Sequence, residues 1–206
     1  MATLGGVIDN LVILTGRSDL ATSLSATAKL AITRAIEHYE GNEFWFNESR
    51  ITISCSSTVA EYTLSASVVS VMKVTITRNG TTYPIEQISE QERLSFDTTT
   101  VRGTPSWYSI YGGAFIPYPS PNDSYTANIA CLKKPTTLSV TTDTNVFLTH
   151  AEQLIEARAG WWLSQFVFLD DAGAQQFKLL EANALDAVTT KSIDKQATGR
   201  ITPTQF

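Results

Sequence analysis

The chain has 206 residues, 43% hydrophobic and 17% charged, with a formal net charge of −5 and a pI near 5.0. That length supports one good core, or a core plus a small subdomain. The acidic balance excludes a protein whose main task is to grip nucleic acid by its phosphates, since that work needs a basic surface.

No basic region precedes the first apolar stretch, and Asp9 interrupts the run from Val7 to Leu14, so no signal peptide is expected. The most apolar window, Ala159 to Leu169, contains Ser164 and Gln165 and is about half the ~20 residues a bilayer needs, so no membrane span is expected either. Cys55 and Cys131 sit far apart among strand residues and read as two buried thiols. The sequons at Asn47, Asn79 and Asn122 mark polar loops.

In chain order, Leu4, Val7, Ile8, Leu11 and Val12 share one face of a short helix over Thr3 to Leu14, ended by Gly16. Ala28, Ala31, Ile32, Ala35, Ile36 and Tyr39 repeat at helical spacing from a cap at Ser23 or Ser25 to the stop at Gly41. That alanine-lined face lets a neighbouring helix approach closely. Phe44-Trp45-Phe46 concentrates aromatics where helix gives way to strand, and reads as a packed junction.

Strands follow. Ile51, Ile53 and Cys55 alternate. Tyr62 and Leu64 form a short second strand, and Val69, Val71, Val74 and Ile76 belong to a third. Asn79-Gly80 turns that strand into Thr81 to Ile85. Ile88 to Phe96 reads as a short helix, and Thr98-Thr99-Thr100 as a loop. Gly112-Gly113 closes a hairpin between Trp107 to Tyr111 and Phe115 to Tyr118. Pro117, Pro119 and Pro121 make its exit an edge, and Asn122-Asp123 turns the chain into Tyr125 to Leu132.

The Ser/Thr-rich stretch after Lys134-Pro135 leads to a helix for which Thr149 and Glu152 have capping-box spacing. Ala151, Leu154, Ile155, Ala159, Trp162, Leu163 and Phe166 form its broad apolar stripe, widened by Trp161, Val167 and Phe168. Asp170-Asp171 opens a last helix, with Phe177, Leu180, Ala184, Ala187 and Val188 on its buried face. Thr189 to Phe206 is polar and lacks a core pattern. The expected fold is α+β: an antiparallel bundle of about four helices, an inserted antiparallel β subdomain and a C-terminal arm. The expected bounds are 1–46 with 134–190 for the helical body, 47–133 for the β subdomain, and 191–206 for the extended arm.

No pattern carries chemistry. His38 and His150 stand alone beside helix ends, and no phosphate loop, metal-ligand spacing or nucleophile elbow occurs, so no catalytic residue, cofactor or metal is assigned. Glu152 and Glu156 share one helix face and read as surface charges, the second near Arg158; a hydrolytic pair needs one desolvated carboxyl. An enzyme reading, a virion-associated cell-wall hydrolase, would have to join Glu61 or Glu86 with Glu92 from separate segments. The aromatics between Trp107 and Tyr118 admit a carbohydrate- or surface-binding β module, though a packed hairpin explains them as well.

Gly103-Thr104-Pro105, Trp107-Tyr108, Gly112-Gly113, Tyr118-Pro119-Ser120-Pro121 and Tyr125 resemble the hairpin core of tailed-phage head-to-tail adaptor (connector) proteins, the group that includes tail tubular protein A. Upstream, Glu61-Tyr62-Thr63-Leu64 and the strand from Val68 to Ile76 extend the resemblance. Downstream, Lys134-Pro135 through Leu138-Ser139, then Asp143-Thr144-Asn145 and the long helix, continue it, so that it covers residues 3–190. The resemblance implies a structural, non-enzymatic virion protein of the neck, assembled in the host cytoplasm. It implies a ring of about twelve copies that binds the portal protein and a tail tube or nozzle protein, with double-stranded DNA passing through unbound and no membrane contact. It also implies portal docking by the arm, with Lys191, Lys195, Arg200, Ile201 and Phe206 as its candidate residues. The turns Asn79, Gly80, Gly112, Gly113, Asn122 and Asp123 are candidates for facing the tail.

Overall fold

The computed structural model describes residues 2–96 and 101–197. The chain divides into two compact units, one built from the chain up to Asn47 together with the chain from Pro135 onward, the other from Glu48–Lys134.

In the helical unit, α1 (Leu4–Thr15) begins at Thr3, whose hydroxyl accepts from the Gly6 amide, and ends at Gly16 in the left-handed region. A 3-10 turn (Ser18–Ala21) leads to α2 (Ser25–Tyr39), whose alanine-rich face is buried as its spacing predicts. Neither Ser23 nor Ser25 caps it, because Leu24 occupies that place. Asn145 caps α4 (Val146–His150) by accepting from the Phe147 and Leu148 amides. Thr149 therefore starts no helix: its hydroxyl bonds back to the Asn145 carbonyl, and α5 (Glu152–Leu163) follows Ala151 without a side-chain cap. A π-helical segment, Ser164–Phe168, and Leu169 at φ 55° then turn the chain into α6 (Asp171–Ala197).

Asn47 is buried, at 3% exposure, rather than in a polar loop. It accepts from the Phe44 amide and donates to the Glu40 and Asn42 carbonyls, locking the turn after α2. That turn stacks Phe44 and Phe46 against Phe147. The three aromatics thus belong to the core of the helical unit.

In the second unit the strands are β1 (Glu48–Cys55), β2 (Tyr62–Thr63), β3 (Val68–Arg78), β4 (Thr81–Gln87), β5 (Arg102–Gly103), β6 (Trp107–Tyr111), β7 (Ala114–Tyr118), β8 (Ser120–Pro121) and β9 (Tyr125–Lys133). The helix α3 (Glu90–Ser95) lies between β4 and β5, and the Thr98-Thr99-Thr100 loop falls outside the described residues. Seven strands form one large, nearly closed sheet in the order β1-β9-β3-β4-β6-β7-β2, and β5 pairs with β8 apart from it.

This corrects the expected fold class. The protein is mixed α/β, with 45% helix and 27% strand among the described residues, and not a helical bundle carrying a small antiparallel insert. Two pairings produce the difference. β9 joins both β1 and β3, making one continuous sheet of what look like separate hairpins. β4 pairs with β6 in parallel, which needs a crossover, and the connection carrying α3 supplies it. The first seven residues of the expected arm are helical, since α6 runs through Lys191 and Lys195 to Ala197, and the rest of the arm lies outside the described residues. Ser192 is buried on it and bonds to the Val188 carbonyl.

The prolines sit where the ladder tolerates them. β2 pairs with β7 only at Phe115 and Ala114, so Pro117 lies beyond its reach and needs no donor there.

Two helices of the first unit meet where a side chain is missing. A Cβ on Gly160 of α5 would lie 2.3 Å from the ring of Phe177 on α6. Gly160→Ala is therefore expected to destabilise the protein by about 1–3 kcal/mol through overpacking. A lower urea midpoint would show it; an unchanged midpoint would mean that α5 and α6 separate at little cost.

Candidate functional site

Three surfaces contain the groups that sequence reasoning singled out or overlooked. The first is the set of turns. Asn79 and Gly80 take φ of 48° and 81°, and Gly112 and Gly113 take 57° and 76°, the left-handed pairs that two-residue hairpins require. Strand directions separate them. Asn79-Gly80 lies at the end of the sheet where β3 finishes and β9 starts, and there Arg78 pairs with Asp123 at 2.8 Å. Arg78 also stacks over Tyr125, whose hydroxyl donates to Asn122. Asn79, Gly80, Asn122 and Asp123 are thus brought together. Because β6 runs parallel to β4, Gly112-Gly113 lies at the other end, beside Leu64 and the start of β3.

The second surface is a cluster of three aromatic rings. Phe96, Trp107 and Tyr118 stack at centroid distances of 5.1 to 6.3 Å, with Phe96 and Trp107 partly open to solvent. Below it, Glu90 accepts from Arg93 at 2.5 and 2.8 Å and from Ser109 at 2.7 Å. The Arg93 guanidinium holds the Glu90 carboxyl down to about 2. It is therefore an ionised structural tie. Glu61, Glu86 and Glu92 are all exposed, so the carboxylates considered for a hydrolase are not desolvated.

The third surface is in the helical unit. Glu156 is not a surface charge near Arg158: it is 8% exposed and accepts from Asn10 of α1 at 2.6 Å. Glu152 accepts from the same amide at 3.4 Å. Burial raises the Glu156 pKa, the Asn10 bond opposes that rise, and Glu152 adds to it. Glu156 lines a groove of about 350 Å³ between α1 and α6, floored by Ala157 and rimmed by Leu14 and Leu180. Those two leucines are 50% and 48% exposed, so Leu180 rims the groove instead of filling the core. Arg158 turns away from it. It donates to Glu181 at 3.3 Å and to His38 at 3.4 Å and stacks over Trp161, while Tyr39 donates to the same Glu181 oxygen. Burial and then Arg158 hold the His38 imidazole below its usual pKa against the pull of Glu181. His38 and His150 are exposed at the surface.

Of the arm residues, Lys191 and Lys195 occupy the last turns of α6, and Arg200, Ile201 and Phe206 lie outside the described residues. Cys55 and Cys131 are free and buried. Among the described residues no helix is long and apolar enough to cross a membrane, and no group of His, Cys, Asp and Glu could hold a metal ion.

A family model described as SU10 adaptor protein matches residues 2–204. The chain belongs to the SU10 adaptor protein family. It is thus a phage adaptor, from a family of structural proteins of the virion neck rather than enzymes. A search of curated proteins found no match. For the adaptor, the useful features are the surfaces just described, and the Glu90 tie is one that spacing along α3 does not reveal, because Ser109 comes from β6.

The Glu90 tie gives the adaptor a pH-dependent share of stability. Folding depresses the carboxyl from 4.5 to about 2, so the contribution is fully present above about pH 4.5 and disappears as pH falls toward about 2. Glu90→Gln is expected to cost on the order of 1 kcal/mol at pH 7, with the difference from the parent protein closing between those pH values. Denaturant titrations across that range check it; a constant difference would show that the pair adds no electrostatic stability.

Proposed function

We propose that the protein is a head-to-tail adaptor of the tail tubular protein A type. It forms a ring of about twelve copies beneath the portal, extends the DNA channel and docks the tail. The observation that supports this best is the family match from residue 2 to 204, which takes in both compact units. The family implies portal and tail components as partners and an oligomeric assembly.

In this reading the helical unit packs side by side around the ring. The end of the sheet that gathers Asn79, Gly80, Asn122 and Asp123 faces the tail, while Gly112-Gly113, at the other end, does not share that contact. The net charge of −5 suits a bore through which DNA slides without being held. Electron microscopy of the purified protein, alone and with the portal protein of the same phage, tests the ring. Rings, or a new layer of density under the portal, are expected; monomers with no added density would refute it.

Portal docking is assigned to the segment that begins with Lys191 and Lys195 and includes Arg200, Ile201 and Phe206. Since α6 is helical and partly buried through Ser192, the informative truncation ends the chain at Ala197. The shortened protein should keep its circular dichroism spectrum and no longer co-sediment with portal rings. If it still co-sediments, docking belongs to Lys191 and Lys195 on α6 or to the rest of the helical unit, and not to the segment beyond Ala197.

A further inference from the structure

Among the described residues, the groove between α1 and α6 leaves one side of α5 without a neighbour. Gln153 lines it, whereas Trp162, nine residues on and therefore about two and a half turns round the helix, meets Arg34 of α2 at 4.9 Å. α2 thus covers the side of α5 opposite the groove. The contacts of Arg34 with Trp162 and of His38 with Arg158 show that α2 runs antiparallel to α5.

The groove is chemically incomplete. A buried carboxylate is ordinarily paired with a cation, yet neither Glu156 nor Glu152 pairs with one among the described residues; Asn10 is their shared donor. Farther along the same groove wall, His150 and Lys191 line a continuation that shares Gln153, Ala184 and Ala187 with it. The surface therefore reads, in order, an apolar rim, the Glu156 carboxylate, and a continuation in which Glu152 lies with His150 and Lys191.

The outer face of α2 carries the complementary order. Leu30 is 45% exposed, Arg34 stands one turn on, exposed but lying over Trp162 of α5, and Glu37 follows on the exposed face. Leu30 and Arg34 are separated by about 6 Å along the helix and Leu30 and Glu37 by about 10 Å. Arg34 pairs with no carboxylate of its own chain among the described residues.

We propose that the α1/α6 groove takes the outer face of α2 from a second copy of this chain. Leu30 enters between Leu14 and Leu180, Arg34 leaves Trp162 of its own chain for Glu156 and Glu152 of the neighbour, and Glu37 meets Lys191. Laid in that register, the incoming α2 is antiparallel to α5, as the chain's own α2 is, so the relative direction of the helices is kept from copy to copy. The two mating surfaces lie on opposite sides of α5. The contact is therefore heterologous, the kind that propagates around a ring instead of closing a two-fold dimer. This proposal rests on the ring reading above and specifies which surfaces make the ring.

The test uses the full chain carrying Leu30→Cys and Leu180→Cys, treated with a short bismaleimide; the native Cys55 and Cys131 are buried. A ladder of dimers and higher multiples on a denaturing gel is expected from the double variant and not from either single variant. Adding Arg34→Glu should abolish the ladder, and adding Glu152→Arg to that protein should restore it, with unchanged circular dichroism throughout. Sedimentation of the same samples, alone and on portal rings, separates the two ways of failing. Protein that is oligomeric but gives no ladder overturns this interface alone. Protein that stays monomeric in both settings overturns the ring and the interface with it.

Discussion

The helical unit depends on the missing Cβ at Gly160. Because nothing projects from that position, the Phe177 ring packs directly on the α5 backbone and α6 lies close along α5. Ala157 and Ala159 are buried on the same helix and also permit close approach. The contact fixes α6 on one flank of α5. With α1 held on another through Asn10, and α2 through Arg34 and His38, one sector stays open. A larger residue at 160 would move α6 outward and change the width of the groove, so local packing governs the surface proposed for assembly.

Two carboxylates of this unit meet opposite electrostatic circumstances. Glu181 receives Tyr39 and Arg158, and is therefore compensated within one copy. Among the described residues, Glu156 receives only an amide, with Glu152 beside it. The first arrangement fastens α2, α5 and α6 together. The second leaves an electrostatic demand that a cation from outside can satisfy, since a charged partner in a desolvated groove gains more than one in water. In the sheet unit, Glu90 resembles Glu181: its cation, Arg93, is one helical turn away, and Ser109 completes the site.

Local chemistry was readable along the chain. The spacing of Leu4, Val7, Ile8 and Leu11 gives the buried face of α1, and Asn79-Gly80 and Gly112-Gly113 adopt the positive φ that their turns demand. What spacing could not convey was which distant segments meet. The β4–β6 pair is parallel and crosses over through α3, β9 stitches β1 to β3, and Asn10 reaches Glu156 from the far end of the sequence. Glu156 consequently looks like an exposed charge when read along its own helix. The Thr149 capping pattern misled for a local reason, because Asn145 competes as a stronger cap four residues earlier. Lys191 to Ala197 has no apolar stripe, yet α6 continues through it, with Ser192 satisfying its hydroxyl on the preceding turn.

These differences bear on how an adaptor can be built from an acidic chain. A ring subunit must offer two unlike surfaces to its neighbours while remaining folded before they arrive. The leucines at the groove rim and on the outer face of α2 are each about half exposed in the free subunit, so covering them is a driving force available to the proposed contact. In the proposed contact the outer pair then supplies register: a neighbour inserted in the reverse direction would set Glu37 against the leucine rim and Leu30 against Lys191, leaving both charges without a partner and disfavouring the wrong polarity.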